Sequence, residues 1–371
     1  MHTVEPMVVR SPLGWEPVTP ERKRPWLPIV ILAALLAAGL IASSWVTLPY
    51  YALAPGSARE VTELIVAEGA KTYPPEGEVL LTTITLTKVS PLQALLGWVR
   101  DDVDVVPQER ILPPDTTDED YRRFNVEEMD DSKQTAIVVA LRRLGYQVSE
   151  RGEGALIERV LPQFPANGRL EPGEVIISVD GSPVSLVQEA TALIGAHRPG
   201  ETVRLEVKGF DNGKTRTVEV PLAADPEQGG KAVLGVFLRT SKRRFDLPFQ
   251  VDIRSGSIGG PSAGLAFTLG VIDALTDGEL TGGRRVAATG TIEIDGRVGD
   301  VGGVAQKTSA VRRAGADVFL VPAGEYEIAK ARAGNELLVL KVSTLQEALD
   351  ALASLGGDLS GLSAPAAQAA G

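Results

Sequence analysis

No residue between Pro25 and Ala58 carries a charge. Within that window the run from Trp26 to Trp45 is almost wholly apolar, and about 20 such residues are what a helix needs to cross a hydrocarbon core of roughly 30 Å. Tryptophans at both ends suit the two interfaces. Arg22-Lys23-Arg24 precedes the segment directly, and the next charge after it is Arg59. The excess of positive charge on the N-terminal side places residues 1–25 in the cytoplasm, 26–48 in the bilayer and the rest outside. A cleaved signal peptide is the rival reading, for which Ala42-Ser43-Ser44 offers a mediocre cleavage site. A buried soluble helix fits less well, because the run has no polar face.

Composition narrows the chemistry. The 371 residues allow two modest domains, and a net charge of −11 gives no sign of a nucleic-acid partner. Cysteine is absent, which removes disulfides, thiolate nucleophiles and cysteine metal sites. Only His2 and His197 are histidines, so no metal site is expected and the usual serine–histidine chemistry lacks its base.

Residues 49–145 read as a connecting scaffold outside the membrane. They contain a threonine-rich strand at Val79–Thr87, a short helix opened by Ser90-Pro91, an acidic surface stretch at 115–131, and a helix from about Ser132 to Leu144 stopped by Gly145. Residues 146–225 alternate short strands and turns around one helix capped by Ser185. The stretch Pro165-Ala-Asn-Gly-Arg-Leu-Glu-Pro-Gly-Glu-Val-Ile-Ile-Ser-Val-Asp-Gly-Ser-Pro-Val184 resembles a bacterial PDZ domain. That resemblance implies a partly open β-barrel with one main helix that accepts an extended peptide as an added strand. It places the peptide at Gly154, Ala155, Leu156 and Ile157, although Gly152-Glu153-Gly154-Ala155 matches the usual carboxylate-binding loop poorly. Gly209-Phe-Asp-Asn-Gly-Lys-Thr215 has three intervening residues where a phosphate-binding loop has four, and no helix follows; it is a hairpin, and no ATP site is expected.

A different pattern begins near Val233. The alternating strand Phe249–Arg254 runs into Ser255-Gly-Ser-Ile-Gly-Gly-Pro-Ser262-Ala-Gly264, then into a helix, Leu265–Leu275, apolar nearly all round. Ser262 thus stands where a glycine-rich turn enters a helix N-terminus, where free amides can hold an oxyanion. Serine also caps helices, so the position alone leaves both readings open. Gly260-Pro-Ser-Ala-Gly264 fits the nucleophile elbow of the α/β-hydrolases, but no histidine follows it. Lysine is the remaining base. On the helix Val304–Ala314, the positions Val304, Lys307, Thr308 and Val311 share one face, while Arg312 and Arg313 lie off it. An inward-facing Lys307 would lose its proton readily; a lysine that snorkels out or pairs with a carboxylate is the alternative.

These segments, with Thr289-Gly-Thr-Ile-Glu-Ile-Asp-Gly-Arg-Val-Gly-Asp-Val-Gly-Gly-Val-Ala-Gln-Lys307 and Ala314-Gly-Ala-Asp-Val-Phe-Leu-Val-Pro322, resemble the proteolytic domain of Lon proteases. The whole chain is similar to the membrane-anchored, PDZ-containing Lon-like proteases of bacteria. The resemblance implies an α+β chain with a Lon-type α/β proteolytic domain over 232–355, a Ser262–Lys307 dyad, and Thr289 supporting the lysine. Gly260, Pro261 and Ala263 would form the active turn and oxyanion site. It further implies peptide or unfolded-protein substrates, a homo-oligomer, hexameric in the family, and no cofactor. In ATP-dependent members an acidic residue often stands two positions before Pro-Ser; here it is Gly259. Residues 356–371, small and alanine-rich, are expected as a disordered tail. The competing function is a membrane-tethered PDZ scaffold with an inactive protease-like domain.

Overall fold

The computed structural model describes residues 26–43, 46–114, 116–209, 213–225, 229–256 and 258–362. The expected cytoplasmic segment 1–25, the interfacial Trp45, the hairpin tip at Asp211-Asn212 and residues 363–371 of the expected tail lie outside them. The chain forms two units, Met1–Ala52 with Leu86–Ile111, and Leu53–Thr85 with Leu112–Gly371.

The first unit holds helix α1 (Leu27–Ser43) and helix α2 (Pro91–Val99). The sequence led us to expect a span over 26–48. Instead α1 has 17 residues, about 25 Å at 1.5 Å per residue. After it the chain turns into an extended segment, where the Leu48 amide donates to the Val89 carbonyl at 2.8 Å. Among the described residues no helix is long and apolar enough to cross a membrane. Ser90 caps α2 with a full capping box: its hydroxyl accepts from the Gln93 amide, and the Gln93 side chain accepts from the Ser90 amide.

In the second unit the main sheet runs Leu338–Val342, Val318–Pro322, Arg285–Ala288, Glu78–Lys88, Tyr50–Glu60 in spatial order. The first three pairings are parallel. Every residue of Val318–Pro322 is buried, as expected of a strand covered on both faces. Val79, Leu80 and Leu81 lie in register with Val286, Ala287 and Ala288. Residues 49–145 are therefore more than a connecting scaffold, since their threonine-rich strand is a central member of the proteolytic sheet.

Helix α3 (Asp118–Arg143) corrects a second boundary, for it begins well before Ser132 and includes most of the stretch read as acidic surface. Thr117 caps it, and Asp118, Glu119 and Asp120 face the positive end of the helix dipole. Its charged first half looks like surface in sequence because only Met129 and Ser132 onward are buried. That inner face packs on helix α5 (Gly264–Leu275), whose residues are all buried.

The PDZ sheet runs Thr215–Pro221, Thr202–Lys208, Val175–Val179, Ala155–Val160, Val236–Thr240, with helix α4 (Val187–Gly195) beside it. The chain enters this module through Ser149–Arg151 and leaves through Arg244–Asp246, and the two segments pair antiparallel. The module is thus an insertion on a two-stranded neck, between α3 and the strand Gln250–Ile253. Helices α6 (Val304–Arg313), α7 (Tyr326–Ala333) and α8 (Leu345–Ser354) complete the proteolytic unit. Residues 356–362 are packed and not a loose tail: the Asp358 amide donates to the Glu279 carbonyl at 2.9 Å, and Leu359 and Leu362 lie against the core.

Gly264 fixes the approach of α5 to the strand after Thr289. A Cβ there would stand 2.8 Å from the Ile292 nitrogen and 3.1 Å from the Ser132 hydroxyl. Gly264→Ala should therefore cost roughly 1–3 kcal/mol in urea unfolding, as overpacked cores do. An unchanged midpoint would show that the contact yields freely.

Candidate active site

Ser262 sits in a single 3-10 turn, Pro261–Ala263, that feeds straight into α5. The preceding Gly260 has φ 86°, a conformation only glycine takes without strain, and this turns the chain sharply into the helix. Two residues of α3 hold the turn. The Gly260 amide donates to the Asn125 carbonyl at 2.8 Å, and the Ser132 hydroxyl donates to the Pro261 carbonyl at 3.0 Å. A Cβ on Gly259 would stand 3.2 Å from the Asn125 Cβ, so this position is pressed close to α3. Neither Asn125 nor Ser132 was singled out from sequence, because each lies far from Ser262 along the chain.

Lys307 lies on α6, whose first turn opens at Gly303, and its side chain is 2% exposed. Its Nζ donates to the Thr289 hydroxyl at 3.0 Å. Thr289, itself fully buried at the end of the strand Arg285–Ala288, donates in turn to the Ser262 carbonyl at 3.2 Å. The Gly290 amide donates to the same carbonyl at 3.0 Å, and the Leu265 amide donates to the Gly290 carbonyl at 3.1 Å. Thr289 thus ties the lysine to the serine's own backbone. Burial pushes the Lys307 ammonium down to about 8, opposed by the charge of Glu325. Glu325 is held by the Val301 amide at 3.1 Å, and burial raises its carboxyl above the usual range.

The oxyanion assignment narrows. Of the expected turn residues, Gly260 already spends its amide on Asn125, and Pro261 has none. That leaves the amides of Ser262 and Ala263 at the head of the helix. Among the described residues no cluster of side chains suited to a metal occurs.

The stretch Gly154–Ile157, expected to accept a peptide, lies in the interior of the PDZ sheet and not at its edge. Ala155 and Leu156 are paired on both sides, with Ile176 and Val175 on one and Thr240 and Arg239 on the other. An interior strand has no free ladder to offer. The terminal strand is Val236–Thr240, and it faces α4 across a groove of about 1190 Å³ lined by Val187, Thr191 and Ile194 on the helix and by Val236 and Leu238 on the strand. The sequence hides this because the edge strand follows the rest of the module, beyond Gly229-Gly230.

Comparisons with known proteins agree with this division. Residues 142–222 match the PDZ domain model, and residues 246–354 match the Lon protease (S16) C-terminal proteolytic domain. The chain is 31% identical over 142 residues to Lon protease 2 of Herpetosiphon aurantiacus, an alignment covering 36% of this chain and 17% of that protein. It is 25% identical over 251 residues to Lon protease of Clostridioides difficile, covering 61% and 31% respectively. A probable periplasmic serine endoprotease DegP-like of Pseudomonas fulva is 35% identical over 82 residues, 22% of this chain and 17% of its own length. The chain therefore spans less than a third of the length of these curated relatives. It is a mixed α+β protein carrying a PDZ domain and a Lon-type proteolytic domain.

Burying Lys307 has a measurable cost. Its proton affinity falls from 10.5 to about 8, so the folded state is penalised fully below pH 8. The penalty is relieved as pH rises from 8 to 10.5, where only the unfolded chain keeps the proton. Lys307→Met should stabilise the fold at pH 7 by on the order of 2 kcal/mol, being about 3 from relieved desolvation less about 1 for the hydrogen bond lost to Thr289. The gain should shrink through that window in denaturant titrations at stepped pH. A destabilised variant would mean that Lys307 is charged and satisfied in the fold.

Proposed function

We propose that this chain is a serine endopeptidase in which Ser262 is the nucleophile and Lys307 the general base, working without ATP. The observation that carries the reading is the buried chain of hydrogen bonds from Lys307 Nζ through the Thr289 hydroxyl to the backbone carbonyl of Ser262, which brings the two residues into one site. By occupying one N–H of the amine, Thr289 orients its lone pair, while burial lowers its proton affinity to about 8, so that a large share is neutral near pH 8. Ser262 Oγ attacks the peptide carbonyl as its proton passes to Lys307. The tetrahedral oxyanion rests on the Ser262 and Ala263 amides. The C–N bond then breaks as Lys307 returns the proton to the leaving amine, and water hydrolyses the ester by the same route.

Substrates in this reading are unfolded segments or protein tails, drawn into the groove between α4 and Val236–Thr240 by strand addition. The apolar stretch and Arg22-Lys23-Arg24 support placing the catalytic unit outside a cell membrane, and the match to the Lon-type proteolytic domain supports a homo-oligomer. The inactive-scaffold alternative fits poorly with Lys307. A scaffold has no reason to retain a buried lysine that lowers its own stability.

Peptide profiles of membranes and culture supernatant from cells with native chain and with Ser262→Ala test the activity. Substrate fragments should vanish in the variant, and identical profiles would remove the peptidase reading. Cleavage of an unfolded reporter should fall by about tenfold per pH unit below pH 8 and level off above it. Lys307→Arg should be inactive at every pH, because guanidinium keeps its proton. Retained cleavage would exclude Lys307 as the base.

A further inference from the structure

Helix α2 is inside out for a protein surrounded by water. Its buried positions are Ala94 and Gly97, one turn apart, and Gly97 lies against Val103 and Val105. Its large apolar side chains point away: Leu95 is 51% exposed, Leu96 56%, Trp98 69% and Val99 78%. No residue from Pro91 to Val99 is charged, while Lys88 stands before the helix and Arg100, Asp101 and Asp102 follow it. A helix in water stabilises itself by burying such residues and exposing the small ones. The reversal needs an apolar phase on the outer side.

The same unit supplies the argument for which phase. Helix α1 packs against α2, and its Ile29, Val30, Ile31, Leu32 and Leu35 are likewise exposed. The backbone bond from Leu48 to Val89 ties the chain leaving α1 to the residue just before the α2 cap. Helix α2 is therefore tied to the C-terminal end of α1, the end beyond the exposed stretch Ile29–Leu35. A tryptophan and flanking charges on a short helix suit the headgroup boundary.

We propose that α2 lies in the outer membrane–water interface beside α1, with Leu95, Leu96, Trp98 and Val99 buried among lipid chains. This rests on the reading that α1 is held in a bilayer, and it goes beyond that reading by adding a second lipid contact. Burying these four side chains supplies hydrophobic attachment that a 17-residue helix lacks by itself.

Because the chain has no cysteine, single labels can be introduced cleanly. The full chain carrying Leu96→Cys, Val99→Cys or, as control, Glu119→Cys is labelled with an environment-sensitive fluorophore. It is then reconstituted into vesicles of phosphatidylcholine and phosphatidylglycerol, with and without brominated acyl chains. Flotation reports the anchor. The labels at 96 and 99 should shift to the blue and be quenched by the brominated lipid, and the label at 119 should do neither. A chain that floats while the labels at 96 and 99 stay unquenched overturns the proposal and leaves the anchor standing. Unquenched labels that crosslink between copies would instead assign this face to self-association. A chain that fails to float removes the anchor reading, and this one with it.

Discussion

The Thr289 hydroxyl is the point on which the candidate site depends. It is fully buried, accepts from Lys307 and donates to the Ser262 carbonyl, so it uses both capacities of one oxygen to set two distant residues. An unpaired hydroxyl there would be costly, and so would an unpaired amine; each satisfies the other only in this geometry. The position of Thr289 is itself fixed by the central sheet, where its amide donates to the Leu320 carbonyl at 3.0 Å. The strand Arg285–Ala288 carries it, between Val318–Pro322 and Glu78–Lys88. The central sheet thus sets the position of the hydroxyl that holds Lys307.

The Ser262 turn is held from the opposite side by α3. Asn125 grips it through a carbonyl and Ser132 through a hydroxyl, and the Gly259–Gly260 pair lets the chain come close enough for both. In this chain the turn is held by hydrogen bonds to α3, with Gly259 pressed close to Asn125. The loosely held proton of Lys307 comes from burial of the lysine itself, opposed by the charge of Glu325.

Local patterns made much of the site legible in sequence. The face shared by Val304, Lys307 and Val311 is a property of one helix, and all three are buried as that periodicity requires. The glycine-rich entry to α5 is equally local. Contacts between distant segments were not legible. The pairing of Glu78–Lys88 with Arg285–Ala288 joins residues some two hundred apart, and no periodicity reports it. The first turns of α3 were hidden by their charge, since Asp118 to Asp120 serve the helix dipole while looking like loop. Val236–Thr240 was missed as the PDZ edge because the other strands of its sheet precede it in the chain, separated by a turn.

In the proposed peptidase reading, the insertion topology bears on how the PDZ module and the Ser262 turn are linked. A module on one linker swings freely, but this one is entered and left through paired strands, Ser149–Arg151 and Arg244–Asp246, with Arg243 bonded to Glu150 at 3.0 Å across the neck. Closing both ends of the module onto one ladder removes much of the rotational freedom a single tether would leave. The edge strand Val236–Thr240 leads through this neck to Gln250–Ile253 and then to the Ser262 turn, while the other arm of the neck continues back into α3. In that reading, a peptide added to the edge strand would load the chain segment that leads to Ser262. The neck's other arm joins α3, whose Asn125 and Ser132 hold the same turn through hydrogen bonds.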